Sequence, residues 1–540
     1  MKTQESFHGI DRLASYLPLL FGLLLSCLIL LGFFDGLPLC DDAFYYFEIC
    51  RNATLGEGWS FDSVHPTNGF HPLWALCLLP CYRILGETPW PAIRFAMLVS
   101  AWLLSCAAWL TRTILHRQGE TRAGFFAVLF WLWNPFTVVM GLQGVEGPLN
   151  VCCLAWSFLY LQRITTSLSP WNLACLGFTL GLSYLARTEN MLWILCVLGW
   201  LFHQKWKEGG RSIIHAIPVL SLPLLFIVTP WLYWNMTTFG TLEQTSGTAK
   251  RLFHLYGTLP SLSPERTEWK DILLLPVGLA RNQAHILLFL CRYVVGEEFQ
   301  PMRKGYAILG ALLTYILLLL FLPNHSRSES RTKSNARLSV LSVLGVFSLL
   351  HLAVYGWFLR NYYSWYVPPI LWSFSLWQGI RLSRCHFRSR TRAWMMGTTG
   401  LSILIGSWLF CAQVFLWPHS PFWHEKAFRS QFASRMSGLE KGTRAGLWNA
   451  GAVGYFSSFY FPNLTVVNLD GVVNNRVTRA ERRGAYEAFL LEEVDVLLEP
   501  PSFLVSIMGE DRSRQFFQEH IEYDEKRHLW WIRSRLGFGD

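Results

Sequence analysis

Two adjacent carboxylates, Asp41 and Asp42, open the stretch CDDAFYYFEICRNATLGEGWSFDSVHPTNGFHPLW at residues 40–74. A carboxylate so placed can take a proton from an acceptor hydroxyl, or hold a divalent cation against a phosphate or diphosphate. Aromatic rings follow at once, with Tyr45 and Tyr46 among them, and then the GEGWSFD and PTNGFHPLW turns, which carry His65, Asn68 and His71. Such rings stack on a sugar or lie at the level of lipid headgroups. An ordinary connection is a handful of residues and less aromatic. The plainer reading of an acidic pair at a membrane surface is solvation, and the two histidines and Asn68 would cap turns as readily as they would bind substrate.

Four further places carry candidate chemistry. Glu146, in GVEGP, sits in a turn set by two glycines and a proline. Arg187 and Glu189, in ARTEN, fall between two apolar runs with almost no loop. Ionisable groups at membrane depth are costly and point to function, with a mutual ion pair as the structural alternative. Lys250 and Arg251 end TSGTAKR, where a cation among small hydroxyls holds a phosphate or anchors to headgroups. Arg360, Tyr363 and Tyr366 belong to RNYYSWY, whose rings also suit an aromatic belt. If a metal takes part, Asp41, Asp42 and Glu146 are its ligands, and Mg, Mn or Ca the ions that suit carboxylate oxygens. The 13 cysteines have no metal-ligand spacing and read as small apolar side chains. GLWNAGAVGYF (446–456) lacks the G-x-G-x-x-G spacing of a dinucleotide loop.

The elements that must position these residues are membrane helices. Of the 540 residues 52% are hydrophobic and only 15% charged, against about 25% charged in soluble domains. Several runs exceed the roughly 17 apolar residues that cross a hydrocarbon core, and continuous runs of that length must be helical. The net charge of +10 falls in short clusters between these runs, which argues against a nucleic-acid partner. The first run, about 16–34, lacks a small-residue cleavage site and is read as a retained helix.

Four loops are strongly basic, at 116–122, 203–211, 325–337 and 381–392. Setting all four inside, as the positive-inside rule requires, gives about 11 spans and places every chemical motif on the outer face. The outer loops are then 35–90, with a short apolar helix near 72–85, then 141–150, and 235–303, the last continuing as a surface-lying helical region. Spans are expected near 91–115, 123–141, 148–162, 171–186, 213–234, 305–323, 338–359 and 394–417, among others. Residues 418–540 are more charged and lack a span; TVVNLD (465–470), VDVLLE (494–499) and HLWWIRS read as strands around the helix-like TRAERRGAYEAFLLEE. Strand–helix–strand order predicts a small α/β domain on the outer side. Asn52, Asn235 and Asn463 open outward-facing glycosylation sequons.

Taken together these motifs resemble the GT-C superfamily of membrane glycosyltransferases that use polyprenyl-phosphate sugars. The pattern DDAFYYF-x(4)-N-x(3)-GEGWSFD-x(5)-TNGFHPLW is similar to the branch that includes mycobacterial arabinofuranosyltransferases. More distantly it is similar to protein O-mannosyltransferases and lipid A aminoarabinose transferases. GLQGVEGPLN, LARTEN, FGTLEQTSGTAK, NYYSWYVPP and VVNLDGVVNN each resemble an element of that branch, with Gln244 standing where Pro is expected. The resemblance implies a GT-C fold over 1–417, an extracytoplasmic α/β domain over 418–540, and an inverting transfer to a hydroxyl acceptor, glycan, glycolipid or protein. It implies donor phosphate held by Lys250, Arg251 or Arg360, Asp41 favoured over Asp42 as base, and Glu146 on the acceptor or a metal. The implied location is a bacterial inner membrane. Two other classes fit less well. A lipid-saccharide flippase should carry mid-span charges and repeated halves, and a scaffold would not need the acidic pair.

Overall fold

The computed structural model describes residues 2–35, 39–207, 211–257, 331–355, 364–384, 423–500 and 502–533. The expected spans at 305–323 and 394–417, and most of the surface region up to 303, lie outside the described residues. Helices α1 (Lys2–Leu30), α4 (Pro89–Arg117), α5 (Thr121–Leu132), α7 (Gly147–Thr166), α8 (Pro170–Ala186), α9 (Met191–Lys207), α10 (Arg211–Phe239), α12 (Arg331–Ala353) and α13 (Pro368–Arg384) form the apolar body. α4 packs against α1, α5 and α7, α8 lies between α7 and α10, and α13 packs on α5. Among the described residues two helical stretches, Pro89–Arg117 and Ala216–Phe239, are long and apolar enough to cross a membrane by themselves.

The expected span at 123–141 is broken. α5 stops at Leu132 and a separate helix, α6 (Pro135–Gly141), follows, because Pro135 lacks an amide to donate and disfavours helical backbone at Asn134. Four indoles are fully buried in the body, and each finds an acceptor. Trp131 donates to Leu104 O (3.0 Å), Trp193 to Ser157 Oγ (2.8 Å), Trp372 to Thr111 Oγ1 (2.8 Å) and Trp74 to Gly144 O (3.0 Å). A ring of that size brings a large apolar area and must satisfy one donor. Here it fixes helix register.

The segment expected as the first outer loop folds as two helices, α2 (Asp41–Leu55) and α3 (Pro72–Leu85). α2 ends at Gly56, whose φ of 89° supplies the left-handed cap. α3, the apolar helix expected near 72–85, begins with Pro72 at N1. α11 (Thr245–Gly257) follows α10 after a short loop. Asn52 and Asn235 are fully buried rather than outward-facing. Asn52 donates to the carbonyls of Ser60 and Phe61, closing the GEGWSFD turn.

The C-terminal part begins with α14 (Trp423–Phe428) and carries a five-stranded sheet of order β2-β1-β3-β5-β4. Its strands are β1 (Arg444–Leu447), β2 (Thr465–Asn468), β3 (Val496–Leu497), β4 (Ile521–Asp524) and β5 (Leu529–Ile532). β1 pairs parallel with β2 and β3, and β5 antiparallel with β3 and β4. α15 (Gly451–Tyr460) joins β1 to β2. The helix-like segment expected after β2 is two helices, α16 (Asn475–Arg482) and α17 (Tyr486–Glu493), parted at Gly484, which has φ +64°. β1 and β4 go beyond the strands expected from sequence, being four residues each and without clear alternation.

One stripe of α2 docks this part onto the membrane body. Asp41, Phe44, Glu48 and Arg51 recur at helical spacing. Phe44 meets Tyr455 and Phe456, Glu48 accepts from Ser458 Oγ (2.9 Å), and Arg51 lies over Phe459. Gly69 meets the C-terminal part as well, since a Cβ there would stand 1.9 Å from Val472 O. Glu48 is 2% exposed, and burial pushes its carboxyl up to about 8, against the pull of Arg51. The folded state thus keeps a proton that an unfolded Glu releases near its ordinary 4.5. Stability falls as pH rises between those values, each pH step of one costing about 1.4 kcal/mol. Glu48→Gln is expected to melt several degrees above wild type at about pH 9 and level with it at about pH 4.5, a comparison that thermal unfolding of the purified protein makes directly.

Candidate active site

Adjacent residues on a helix point about 100° apart, and this separates the two aspartates at the start of α2. Asp41 turns toward the C-terminal part. Its Oδ2 accepts from Gly451 N (3.1 Å) and its Oδ1 from Ala452 N (2.9 Å), so it sits on the amino end of α15. Burial raises its carboxyl to about 6; the Ala452 and Gly451 amides hold it down and the Asp42 charge adds to the rise. The sequence favours Asp41 as base, and the geometry sets it apart from the cavity. It does not line the cavity described next, and both its oxygens are engaged by backbone amides.

Asp42 does line that cavity, a space of about 290 Å³ walled by α2, the turns at 69–71, 145–146 and 187–189, α11 and Trp365–Tyr366. Its Oδ2 receives Lys250 Nζ at 3.1 Å. Lys250 projects from α11 and lies 5.2 Å from the centre of the Trp365 ring and 5.9 Å from that of Tyr366, a distance at which a cation is drawn to a ring face. Asp42 and Lys250 are each partly exposed to the cavity.

Behind them lies a buried charge cluster. Arg187 is 3% exposed. It donates to both Glu146 and Glu189, and its guanidinium stacks 4.7 Å from Tyr366. Tyr46 donates to Glu146 Oε2 (2.8 Å) and accepts from His71 N (3.2 Å), and His71 Nε2 lies 3.7 Å from Glu146. Burial lowers the proton affinity of His71, against the Glu146 charge. Glu146 is carried by the turn after Gly144, whose φ of 83° lets that backbone pass close against Ala43 and Phe47.

Of the other residues expected at the site, Tyr45, Tyr366 and Glu189 line the cavity. His65 and Asn68 do not. His65 is held by Asp62 (2.9 Å) and Arg476 (2.9 Å) at the contact with α16. Asn68 is fully buried, donates to Asn235 Oδ1 and Glu243 O, and accepts from Thr245 N and Asn475 Nδ2. Both are structural because the turn that carries them is roofed by the C-terminal part. Arg360 and Tyr363, and the Arg251 side chain, lie outside the described residues. Gln244, conspicuous in sequence for replacing a proline, donates to Phe70 O (2.6 Å) and accepts from Thr188 Oγ1 (2.9 Å), tying three turns of the cavity together. Val472, Tyr355 and Trp365 complete the wall; Trp365 belongs to the RNYYSWY stretch, and Val472 and Tyr355 carry no site signal in the sequence.

The metal expected on Asp41, Asp42 and Glu146 does not fit these residues. Asp41 is spent on α15, Asp42 faces Lys250, and Glu146 faces Arg187 and Tyr46. Among the described residues no three His, Cys, Asp or Glu side chains gather as ligands.

Comparison with known proteins bears on this geometry. Residues 65–234 match the family described as dolichyl-phosphate-mannose-protein mannosyltransferase. No curated protein matches the sequence. ArnT from Cupriavidus metallidurans, crystallised with undecaprenyl phosphate, aligns with a TM-score of 0.54 at 12% identity, over 94% of this chain and 97% of that one. Its apo state aligns with a TM-score of 0.52 at 11% identity, over 89% and 93%. AglB from Archaeoglobus fulgidus, an archaeal oligosaccharyltransferase in complex with an inhibitory peptide and a dolichol-phosphate, gives 0.47 at 10% identity, over 95% of this chain and 74% of that one. The chain has the fold of ArnT.

The Arg187 cluster should be indispensable to folding whatever else it does. Arg187→Met leaves Glu146 and Glu189 buried and facing each other, a loss of about 3–5 kcal/mol. Thermal unfolding in detergent is expected to show it as a fall in Tm of many degrees.

Proposed function

We propose that this protein is an inverting glycosyltransferase that moves a sugar from a polyprenyl-phosphate donor to a hydroxyl acceptor. The observation that carries this reading is the pairing of Asp42 with Lys250 across one cavity, in a chain with the fold of ArnT, which was crystallised with undecaprenyl phosphate. The match of residues 65–234 to the mannosyltransferase family supports the same class of donor.

The chemistry asks for two things. Asp42 accepts the proton of the acceptor hydroxyl, and that oxygen attacks the anomeric carbon from the face opposite the phosphate. The bond from the anomeric carbon to the phosphate oxygen breaks with its electron pair on that oxygen, so the configuration inverts. Lys250 meets the phosphate, with Trp365 and Tyr366 orienting its ammonium, and stabilises the charge that develops on the leaving oxygen. Phosphate leaves without needing an acid. Arg251 and Arg360 are further donor-phosphate residues in this reading. Glu146, Arg187, Glu189, Tyr46, His71 and Tyr366 form the rigid floor against which the sugar is oriented. No step passes through a metal.

In the same reading, residues 1–417 are the catalytic membrane module of about 11 spans and 418–540 an outer domain. Both the cavity and that domain lie on the extracytoplasmic side of a bacterial inner membrane. The sequence motifs put the arabinofuranosyltransferase branch nearest, with a pentosyl or hexosyl donor serving cell-envelope glycans.

Mass spectrometry of lipid extracts tests the proposal. Cells carrying Asp42→Asn should accumulate a polyprenyl-phosphate sugar and lose a glycan product, with turnover down by roughly 10² to 10⁴, and the accumulated mass names the donor. Asp41→Asn accepts only one of the two α15 amides and should lower stability, while the folded protein that remains keeps most of the transfer. Lipids and glycans unchanged in a folded, normally abundant Asp42→Asn would reject the transferase. Lys250→Ala should weaken undecaprenyl phosphate binding by about tenfold or more, followed by tryptophan fluorescence.

A further inference from the structure

The C-terminal part does more than cover the cavity. Its segment from Asn468 to Val473 reaches α2 and the PTNGF turn together. Tyr45 stands one turn beyond Asp42 on α2, and its ring lines the cavity, edge-on to Phe61 at 5.2 Å. The Tyr45 hydroxyl donates to Asp470 Oδ2 (3.1 Å) and accepts from Asn468 Nδ2 (3.0 Å). Both hydrogen-bonding capacities of a cavity-lining ring are thus used by the end of β2.

Asp470 has a second duty. Its Oδ1 accepts from Val472 N (2.8 Å), closing a tight turn through Gly471, which has φ +75°. That turn sets Val472 into the cavity wall and its carbonyl against Gly69. One carboxylate therefore holds two walls, one through each oxygen. An amide could not accept at both places, since Asn has a single acceptor oxygen.

We propose that Asp470 is a positioning residue for the transfer, acting through the Tyr45 hydroxyl to fix the cavity wall beside Asp42. The inference rests on the transferase reading above and adds that the C-terminal part shapes the acceptor side of the site, where the hydroxyl must meet Asp42. Lys250 belongs to another wall, on α11, so the donor phosphate should be bound as before.

The substitutions separate the two duties. Asp470→Asn keeps the turn, through its one oxygen, and takes away the acceptor of the Tyr45 proton; Tyr45→Phe removes that donor, and the Asn468 contact with it, and leaves the turn alone. Full-length variants would be expressed in the cells used for the lipid analysis, alongside Asp42→Asn, and the ratio of lipid-linked sugar to glycan product measured at matched abundance of folded protein. The expected result is a loss of transfer of roughly 10- to 100-fold in each single variant, with no further loss in the double variant because one bond is removed twice. Undecaprenyl phosphate, titrated against the purified proteins by tryptophan fluorescence, should bind within about twofold of wild type. Wild-type transfer in either single variant, losses that multiply in the double, or a phosphate affinity that falls in step with transfer would each overturn the assignment. If Asp42→Asn also transfers normally, the transferase reading falls with it; if only Asp42→Asn is impaired, that reading stands and Asp470 has no part in it.

Discussion

The bond on which the rest of this molecule depends is the one between the Asp41 carboxylate and the amides of Gly451 and Ala452. A helix amino end has unpaired N–H groups and a partial positive charge, and here the acid that satisfies them comes from 410 residues earlier in the chain. Gly451 is obligatory at that contact, since a Cβ would fall 2.3 Å from Asp41 O. Burying a carboxylate is costly unless donors meet both its oxygens, and α15 meets both. Once Asp41 is held, the 100° step of the helix leaves Asp42 one direction to face, toward Lys250 and the cavity. The acidic pair is a hinge pin and a functional group side by side.

The second constraint is the charge held at depth behind the cavity. Arg187 is enclosed by two carboxylates and a ring face. Removing a guanidinium from water is repaid only when its donors are filled in good geometry. Glu146 and His71 extend that network from two separate turns and Tyr46 from α2, and Gln244 joins the turn of His71 to that of Arg187. A network of this kind is rigid because every partner is also someone else's partner. Rigidity is what the proposed transfer would ask of this floor, since orientation supplies much of the rate.

Much of this is legible in the sequence, for reasons that can be named. Helices show as apolar runs because lipid and packed protein both demand continuous burial, and α3, α7, α8 and α13 stand out that way. Candidate residues are legible where a charged or aromatic side chain stands among apolar neighbours, as with Asp42, Glu146, Arg187 and Lys250. What is not legible is direction. Asp41 and Asp42 are the same residue type in adjacent positions, and only the partner in α15 separates their roles. His65 and Asn68 look chemical because they sit in a turn rich in polar groups, yet that turn is roofed by α16, hundreds of residues away. Gln244 shows in sequence as a departure from a pattern, and its meaning comes only with the turns it joins.

The same reasoning says why the short strands stay hidden and why that matters for the site. β1 and β4 have four residues each, too few to show alternation, and they hold together through pairing with distant segments rather than by their own pattern. The sheet they build fixes the end of β2, and the end of β2 carries Asn468 and Asp470 to the Tyr45 hydroxyl. A wall of the cavity therefore rests on a sheet two of whose strands, β1 and β4, carry little local signal. In α2 the consequence is visible at single-residue spacing. Positions 41, 44, 48 and 51 serve the docked surface, and positions 42, 45 and 46 serve the cavity. One 15-residue helix thus transmits the placement of the C-terminal part to Asp42, which stands at its first turn.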